Sequence, residues 1–134
     1  MNYKAGGVTI KEAAVKMLDE KDHDAIEALR TVGVKRNVAI IIVYLKDLDE
    51  ATARDIEMGS GLRQPEVSIA MRVLREKGWI AEREVKKEGR GRPMKLYRLT
   101  VSIDDIIGYY EEEKRNESSR AMQFIEKLKE MSAT

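Results

Sequence analysis

The spacing of hydrophobic residues changes along the chain, and the change predicts helices, then two strands, then a further helix. Over 35–47 the apolar residues follow the i, i+3, i+4, i+7 spacing of a buried helix, which outweighs the strand preference of the β-branched residues there. The same spacing over 65–77 predicts a helix that Gly78 ends. Over 79–85 and 94–99, apolar and polar residues alternate instead, as in half-buried strands.

Capping patterns mark the starts and ends of the remaining helices. Thr52 with Asp55 opens a short helix that is expected to end at Met58, because Gly59-Ser60-Gly61 follows. Near the N-terminus, Thr9 with Glu12 predicts a helix to Leu18, which the acidic turn 19–24 ends.

Two further helical regions complete the prediction. Asp24 begins a second short helix, which Gly33 caps. Ser102 opens the C-terminal region, where a heptad register meets polar residues at Lys114 and Glu117. We therefore expect two helical pieces there, meeting near 115–119.

The order helix, helix, helix, strand, wing, strand, helix is that of a winged helix-turn-helix, since two short helices joined by a glycine-containing turn precede the strands. The expected fold class is mainly α with a small β-hairpin wing (α+β), with extra N- and C-terminal helices. We expect one domain over 1–134, with a DNA-binding core at 29–100. The flanks 1–28 and 101–134 are expected to be helical and to dimerise.

Three motifs in this order resemble those of prokaryotic winged-helix transcriptional regulators of the broad MarR/ArsR/TrmB type. They are GLRQPEVS at 61–68, LREKGWI at 74–80 and GRGRPMKLYRL at 89–99. The resemblance covers about 29–100. It implies a sequence-specific regulator that binds a pseudo-palindromic operator as a homodimer, with half-sites about one helical turn apart. It does not indicate the operator sequence, an effector, or whether the regulator activates or represses transcription.

The charges are distributed unevenly, although 25 lysines and arginines against 24 acidic residues give a net charge of only +1. Twelve basic and seven acidic residues lie between Arg54 and Arg98, so this segment carries +5 and the remainder −4. Binding to the phosphates of duplex DNA requires a positive surface, because basic side chains gain affinity by releasing the counterions of the DNA.

The predicted helix 65–77 presents base-reading chemistry on the side opposite its apolar stripe. Gln pairs with adenine, Arg with guanine, and Ser or an apolar side chain meets the methyl group of thymine. Glu66 either reads a cytosine amino group or stabilises the helix start, and we favour the second. The candidate contacts at this helix are Arg63, Gln64, Ser68, Ile69 and Arg72.

The basic tip between the two strands is the candidate wing. Arg90 and Arg92 flank Gly91, so two guanidinium groups stand on a backbone of little bulk, which suits a narrow minor groove. The alternative is a solvated turn with incidental arginines. Lys86, Lys87 and Lys95 are expected to contact phosphates without reading sequence.

Several classes of function are disfavoured by composition. The chain has no cysteine and one histidine, His23, so thiol chemistry and metal sites are not expected. It also shows no nucleophile–base pair and no phosphate-binding loop, so we expect no enzymatic activity and no cofactor. The longest apolar run, Val38 to Leu45, has eight residues where a membrane span needs about 20, and no signal segment is evident. We therefore expect a cytoplasmic protein without a membrane partner.

Two functional hypotheses remain after these exclusions. The first is a sequence-specific regulator that binds double-stranded DNA with its helix in the major groove and its wing at the minor groove. The second is a winged helix used for protein interaction, or for non-specific binding to chromatin or DNA. Cancellation of the basic residues by nearby acids would favour the second.

Overall fold

The computed structural model describes residues 2–5, 8–11, 16–87, 91 and 93–133. The chain divides into two units, Met1–Val101 and Ser102–Thr134. The sequence-based division into a core and two flanks stays a prediction. Within the described ranges, no helix is both long and apolar enough to cross a membrane.

The first unit combines helices with an antiparallel sheet, and the second is one long helix. The elements are β1 (Asn2–Ala5), β2 (Val8–Lys11), α1 (Glu20–Thr31), α2 (Arg36–Leu45), β3 (Ala51–Thr52), α3 (Ala53–Ser60), α4 (Gln64–Glu76), β4 (Ile80–Lys87), β5 (Met94–Leu99) and α5 (Ile103–Ala133).

The core of the first unit is built around α2. Every residue from Val38 to Leu45 is at most 4% exposed, because α1, α3 and α4 all pack against this helix. A helix that is apolar on every side is stable only when it is surrounded in this way. The helix predicted over 35–47 is confirmed, and the β-branched residues do not divert it into a strand.

The sheet has the strand order β2-β1-β4-β5-β3. β4 and β5 pair from Ile80 opposite Leu99 to Val85 opposite Met94, and this pair is the predicted hairpin of the wing. β3 pairs with the other side of β5 and leads directly into α3. The helix pair α3–α4 followed by this sheet is a winged helix-turn-helix with additional terminal helices, which confirms the predicted fold class.

The prediction for the N-terminal flank is wrong in part. Thr9 to Lys11 belong to β2 rather than to a helix, and residues 12–15 lie outside the described residues. The segment 19–24 begins α1 instead of ending a helix. Asp19 is its N-cap: its Oδ1 accepts from the Asp22 backbone N–H at 2.9 Å, and Asp22 Oδ2 accepts from the Asp19 N–H at 3.0 Å.

The prediction of two helical pieces at the C-terminus is also wrong, because α5 continues from Ile103 to Ala133. Ser102 begins it as expected, with its Oγ accepting from the Asp105 backbone N–H at 3.0 Å. Lys114 and Glu117 do not interrupt the helix, since both are exposed and form an ion pair at 3.1 Å one turn apart. Such a pair supports a helix in water.

Candidate nucleic-acid interface

The turn between α3 and α4 has the geometry of a helix-turn-helix. Thr52 and Asp55 form the predicted capping box, with the Asp55 N–H donating to Thr52 Oγ1 at 3.0 Å. α3 extends to Ser60, two residues beyond the prediction. Gly61 follows with φ +77° and donates its N–H to the Glu57 carbonyl at 2.9 Å. Because this left-handed conformation is strained for other residues, a glycine is required where the chain turns into α4.

One face of α4 anchors the helix in the core. Val67, Ala70, Met71 and Leu74 are buried, as their spacing predicts. Their stripe packs α4 against α2 and α3. α4 begins at Gln64, one residue earlier than expected, with Pro65 in the first turn, where no backbone donor is lost. The opposite face of the helix is therefore turned to solvent.

The exposed face of α4 brings together the residues that the sequence singled out. Gln64, Ser68 and Arg72 follow at intervals of four, and Gln64 Nε2 donates to Ser68 Oγ at 3.1 Å. Ile69 lies beside them and is 63% exposed. Among the described residues, neither Arg72 nor Arg63 at the N-cap forms an ion pair. Two cationic, one amide, one hydroxyl and one apolar side chain are thus available on one surface.

Glu66 holds the start of α4 in place. Its Oε1 accepts from the Arg63 backbone N–H at 2.9 Å, and its Oε2 accepts from Asn37 Nδ2 at 3.5 Å. The carboxylate therefore stabilises the helix start, as we favoured, and links α4 to the beginning of α2.

The wing strands are supported by a small apolar cluster. Val85 and Leu96 are buried against each other, and the half-buried Met94 packs against them. Lys86 and Lys95 are exposed on the same pair of strands, and Lys95 stands opposite Glu84 in the register. The backbone of Lys87 ends β4. The predicted contacts Arg90 and Arg92 lie outside the described residues.

Some basic residues of the positive segment are already paired. Arg83 donates from Nε and Nη2 to the carboxylate of Glu50, both at 2.5 Å. These hydrogen bonds and the positive charge hold the pKa of Glu50 below its ordinary value. Arg75 forms an ion pair with Glu82 at 3.6 Å. Glu82 is already subtracted in the net charge of +5, but Glu50 lies outside that segment, so the Arg83–Glu50 pair leaves less positive charge available than the count gives.

Sequence reasoning missed the N-terminal hairpin, which lies beside the wing. β1 pairs with β4 at Tyr3 opposite Lys87 and at Lys4 opposite Lys86. Two alternating segments, 2–5 and 8–11, are separated by two glycines in the sequence, and this is a recognised hairpin signal. The capping pattern at Thr9 directed the prediction to a helix instead.

A second surface lies on α5, within the C-terminal unit. Phe124, Leu128 and Met131 are 63%, 63% and 67% exposed and fall on one side of the helix at spacings of four and three. Ile125 lies next to them and is also exposed. A contiguous exposed apolar stripe of this kind is typical of an interaction surface.

No metal-binding cluster is present among the described residues, taking groups of three or more His, Cys, Asp or Glu side chains. His23 is exposed on α1 between acidic neighbours.

No protein-family model matches the chain, and no curated protein matches it. Two solved structures are similar in fold. A MarR family regulator from Neisseria meningitidis, NMB1585, has a TM-score of 0.48 and 16% sequence identity, over 74% of this chain and 68% of that one. MepR, a transcription regulator of the Staphylococcus aureus multidrug efflux pump MepA, has a TM-score of 0.48 and 20% sequence identity, over 85% of this chain and 89% of that one. The assignment of this chain to the winged helix-turn-helix fold rests on its own elements and strand pairings.

Proposed function

We propose that the chain is a transcriptional regulator that binds double-stranded DNA sequence-specifically as a homodimer. The proposal rests on the exposed face of α4, where Gln64, Ser68 and Ile69 lie between Arg63 and Arg72, neither of which forms an ion pair with a described residue. The proposed contacts to DNA are Arg63, Gln64, Ser68, Ile69, Arg72, Lys86, Lys87, Arg90, Arg92 and Lys95.

In this proposal α4 enters the major groove. An α-helix with its side chains is about 10–12 Å wide, and the major groove is about 12 Å wide. The hydrogen bond to Ser68 orients the Gln64 amide before binding, so that less entropy is lost when it pairs with adenine. Ile69 is suited to the methyl group of thymine, and Arg63 and Arg72 to guanine or phosphate.

The wing supplies the second contact. Lys86 and Lys95 are exposed on β4 and β5 and would bind phosphates along the backbone. Arg90 and Arg92, at the tip in the sequence, would enter the minor groove, where a narrow A·T-rich groove attracts arginine.

The proposed dimer forms through the apolar stripe of α5. The helix has 31 residues and is about 46 Å long, enough for an extended helix-to-helix contact. Exposed Phe124, Leu128 and Met131 would be buried on a second copy, and their removal from water drives association. A twofold dimer would place two α4 helices on half-sites about 34–36 Å apart. We propose no enzymatic activity and no membrane partner. We also propose that the chain acts in the cytoplasm.

The second candidate function is non-specific binding to DNA, or protein interaction. The ion pairs Arg75–Glu82 and Arg83–Glu50 favour it, because they reduce the net positive charge beside α4. They lie on β4 and at the end of α4, however, and Arg63 and Arg72 form no ion pair within the part of the chain that the structure describes.

A binding selection on random duplexes tests the proposal and separates the two candidates. The purified chain is mixed with a library of random duplexes at physiological salt, and the bound fraction is sequenced. We expect enrichment of a pseudo-palindrome with half-sites one helical turn apart. Binding without enrichment would support the non-specific alternative, and a chain that retains no duplex even at low salt would refute DNA binding.

A further inference from the structure

We propose that the N-terminal hairpin β1–β2 is part of the DNA-binding surface, where it widens the wing and adds Lys4 to its phosphate contacts. The inference rests on the proposed DNA-binding function and extends it to a segment that the sequence assigned to a dimerising flank.

The first support is the place at which the hairpin joins the sheet. β1 pairs with β4 at Lys86 and Lys87, the last two residues of that strand, beside the basic tip. Residues directly opposite each other in an antiparallel pair have Cα atoms about 4.5–5.5 Å apart. The register therefore places Lys4 directly opposite Lys86, which is one of the proposed phosphate contacts.

The second support is the charge of the hairpin. Residues 1–11 contain two lysines, Lys4 and Lys11, and no acidic residue. The hairpin therefore adds positive charge next to the two lysines that end β4. The register brings four lysines of the sequence towards one end of β1, β2 and β4: Lys4, Lys11, Lys86 and Lys87.

Protection of the sheet edge is a competing explanation for lysines in the hairpin, since edge strands often carry lysine to prevent pairing with other chains. It accounts for Lys11, because β2 is the outermost strand. It does not account for Lys4, because β1 lies between β2 and β4.

The test compares the salt dependence of DNA affinity in full-length variants. Fluorescence anisotropy on one duplex gives Kd for the wild type and for Lys4→Gln across a range of salt concentrations. We expect the slope of log K against log salt to fall in magnitude by about 0.9, which is the value for one lost phosphate contact. The loss of affinity should be the same for duplexes of different sequence. Lys4→Arg keeps the charge and should keep the wild-type slope. Lys21→Gln, which removes an exposed lysine from α1, is the matched control.

A thermal melt of the same variants separates contact from folding. For Lys4→Gln, we expect Tm to stay unchanged while the affinity for DNA falls. If Lys4 only supported the fold, Lys4→Gln would lower both Tm and the affinity for DNA. If Lys4→Gln binds with the wild-type slope, the hairpin inference is overturned and the proposed function stands. If the wild type itself binds no duplex, both are overturned.

Discussion

Arg83 on β4 and Glu50, 33 positions earlier in the chain, form a two-pronged ion pair with both N···O distances at 2.5 Å. Glu50 immediately precedes β3, and β5 lies between β3 and β4 in the sheet. The pair therefore ties the two strands on either side of β5 together. Since β3 leads directly into α3, the ion pair also links the wing to the helix-turn-helix.

The first prediction concerns the stability supplied by this pair. Glu50→Gln should lower the free energy of unfolding by about 1 kcal/mol at neutral pH, the upper range for a partly exposed pair. The pKa of Glu50 is lowered from its ordinary 4.5 in the folded protein. The contribution is therefore present above that value and is lost as the pH falls through the lowered pKa. Urea unfolding at a series of pH values measures the difference.

The wild type and Glu50→Gln should converge in stability at acidic pH. Glu112→Gln, which changes an exposed carboxylate of α5, should show no comparable difference at any pH. A constant gap between wild type and Glu50→Gln down to strongly acidic pH would show that the effect arises from packing rather than charge.

The sequence predicts local features of this fold better than distant ones. The helix over 35–47, the Thr52–Asp55 cap and the buried stripe of α4 follow from spacing within a few residues, and all are confirmed. The Arg83–Glu50 pair depends on the strand order β4-β5-β3, which no local pattern contains. Charge counting therefore included Arg83 in the positive segment without its partner Glu50, which lies outside that segment.

The N-terminal error has a different cause, since two local signals conflicted there. Thr9 with Glu12 matches a capping box, whereas the glycine pair at 6–7 between alternating segments matches a hairpin. The pairing of β1 with β4 supports the hairpin, because it ties β1 into a larger sheet, whereas a short helix without tertiary packing is only marginally stable in water.

The second prediction concerns close packing at Gly59. A Cβ at this position would overlap with the Lys16 carbonyl oxygen and with the ring of Tyr44. Gly59→Ala should therefore cost about 1–3 kcal/mol of stability through overpacking. Gly108→Ala is the matched control: Gly108 lies in α5 with open space around its Cβ position, and alanine should stabilise the helix by about 1 kcal/mol. Tm is expected to fall for Gly59→Ala and to rise for Gly108→Ala. Equal shifts in Tm for the two variants would contradict the packing argument.

The third prediction concerns base recognition by Gln64. Gln64→Ala removes the amide that donates to Ser68 and should relax the preference at one base position by about 1–3 kcal/mol. Competition binding with duplexes substituted one position at a time measures the preference. If affinity falls equally for every duplex, Gln64 contacts the backbone or supports the helix and does not read a base.

The fourth prediction concerns the wing tip. Changing Arg90 and Arg92 together to alanine should weaken binding to all A·T-containing duplexes. The slope of log K against log salt should fall by about 1.8 in magnitude, because two cations that displace counterions from the duplex are lost. Arg115→Ala with Arg120→Ala removes the same charge from exposed positions of α5 and is the control. An unchanged slope in the wing variant would show that the tip is a solvated turn.

The last prediction concerns the stripe on α5. Leu128 is 63% exposed, so Leu128→Glu should hardly change the folding of a single chain. A carboxylate in the centre of an apolar contact would instead be buried without a partner, which is costly. Sedimentation at micromolar concentration should show a dimer for the wild type and a 15.3 kDa monomer for the variant. Ser119→Glu places the same charge about two and a half turns earlier, on the opposite side of the helix, and should remain dimeric. A monomeric wild type would refute the proposed dimer, and dissociation of both variants would locate the contact elsewhere on α5.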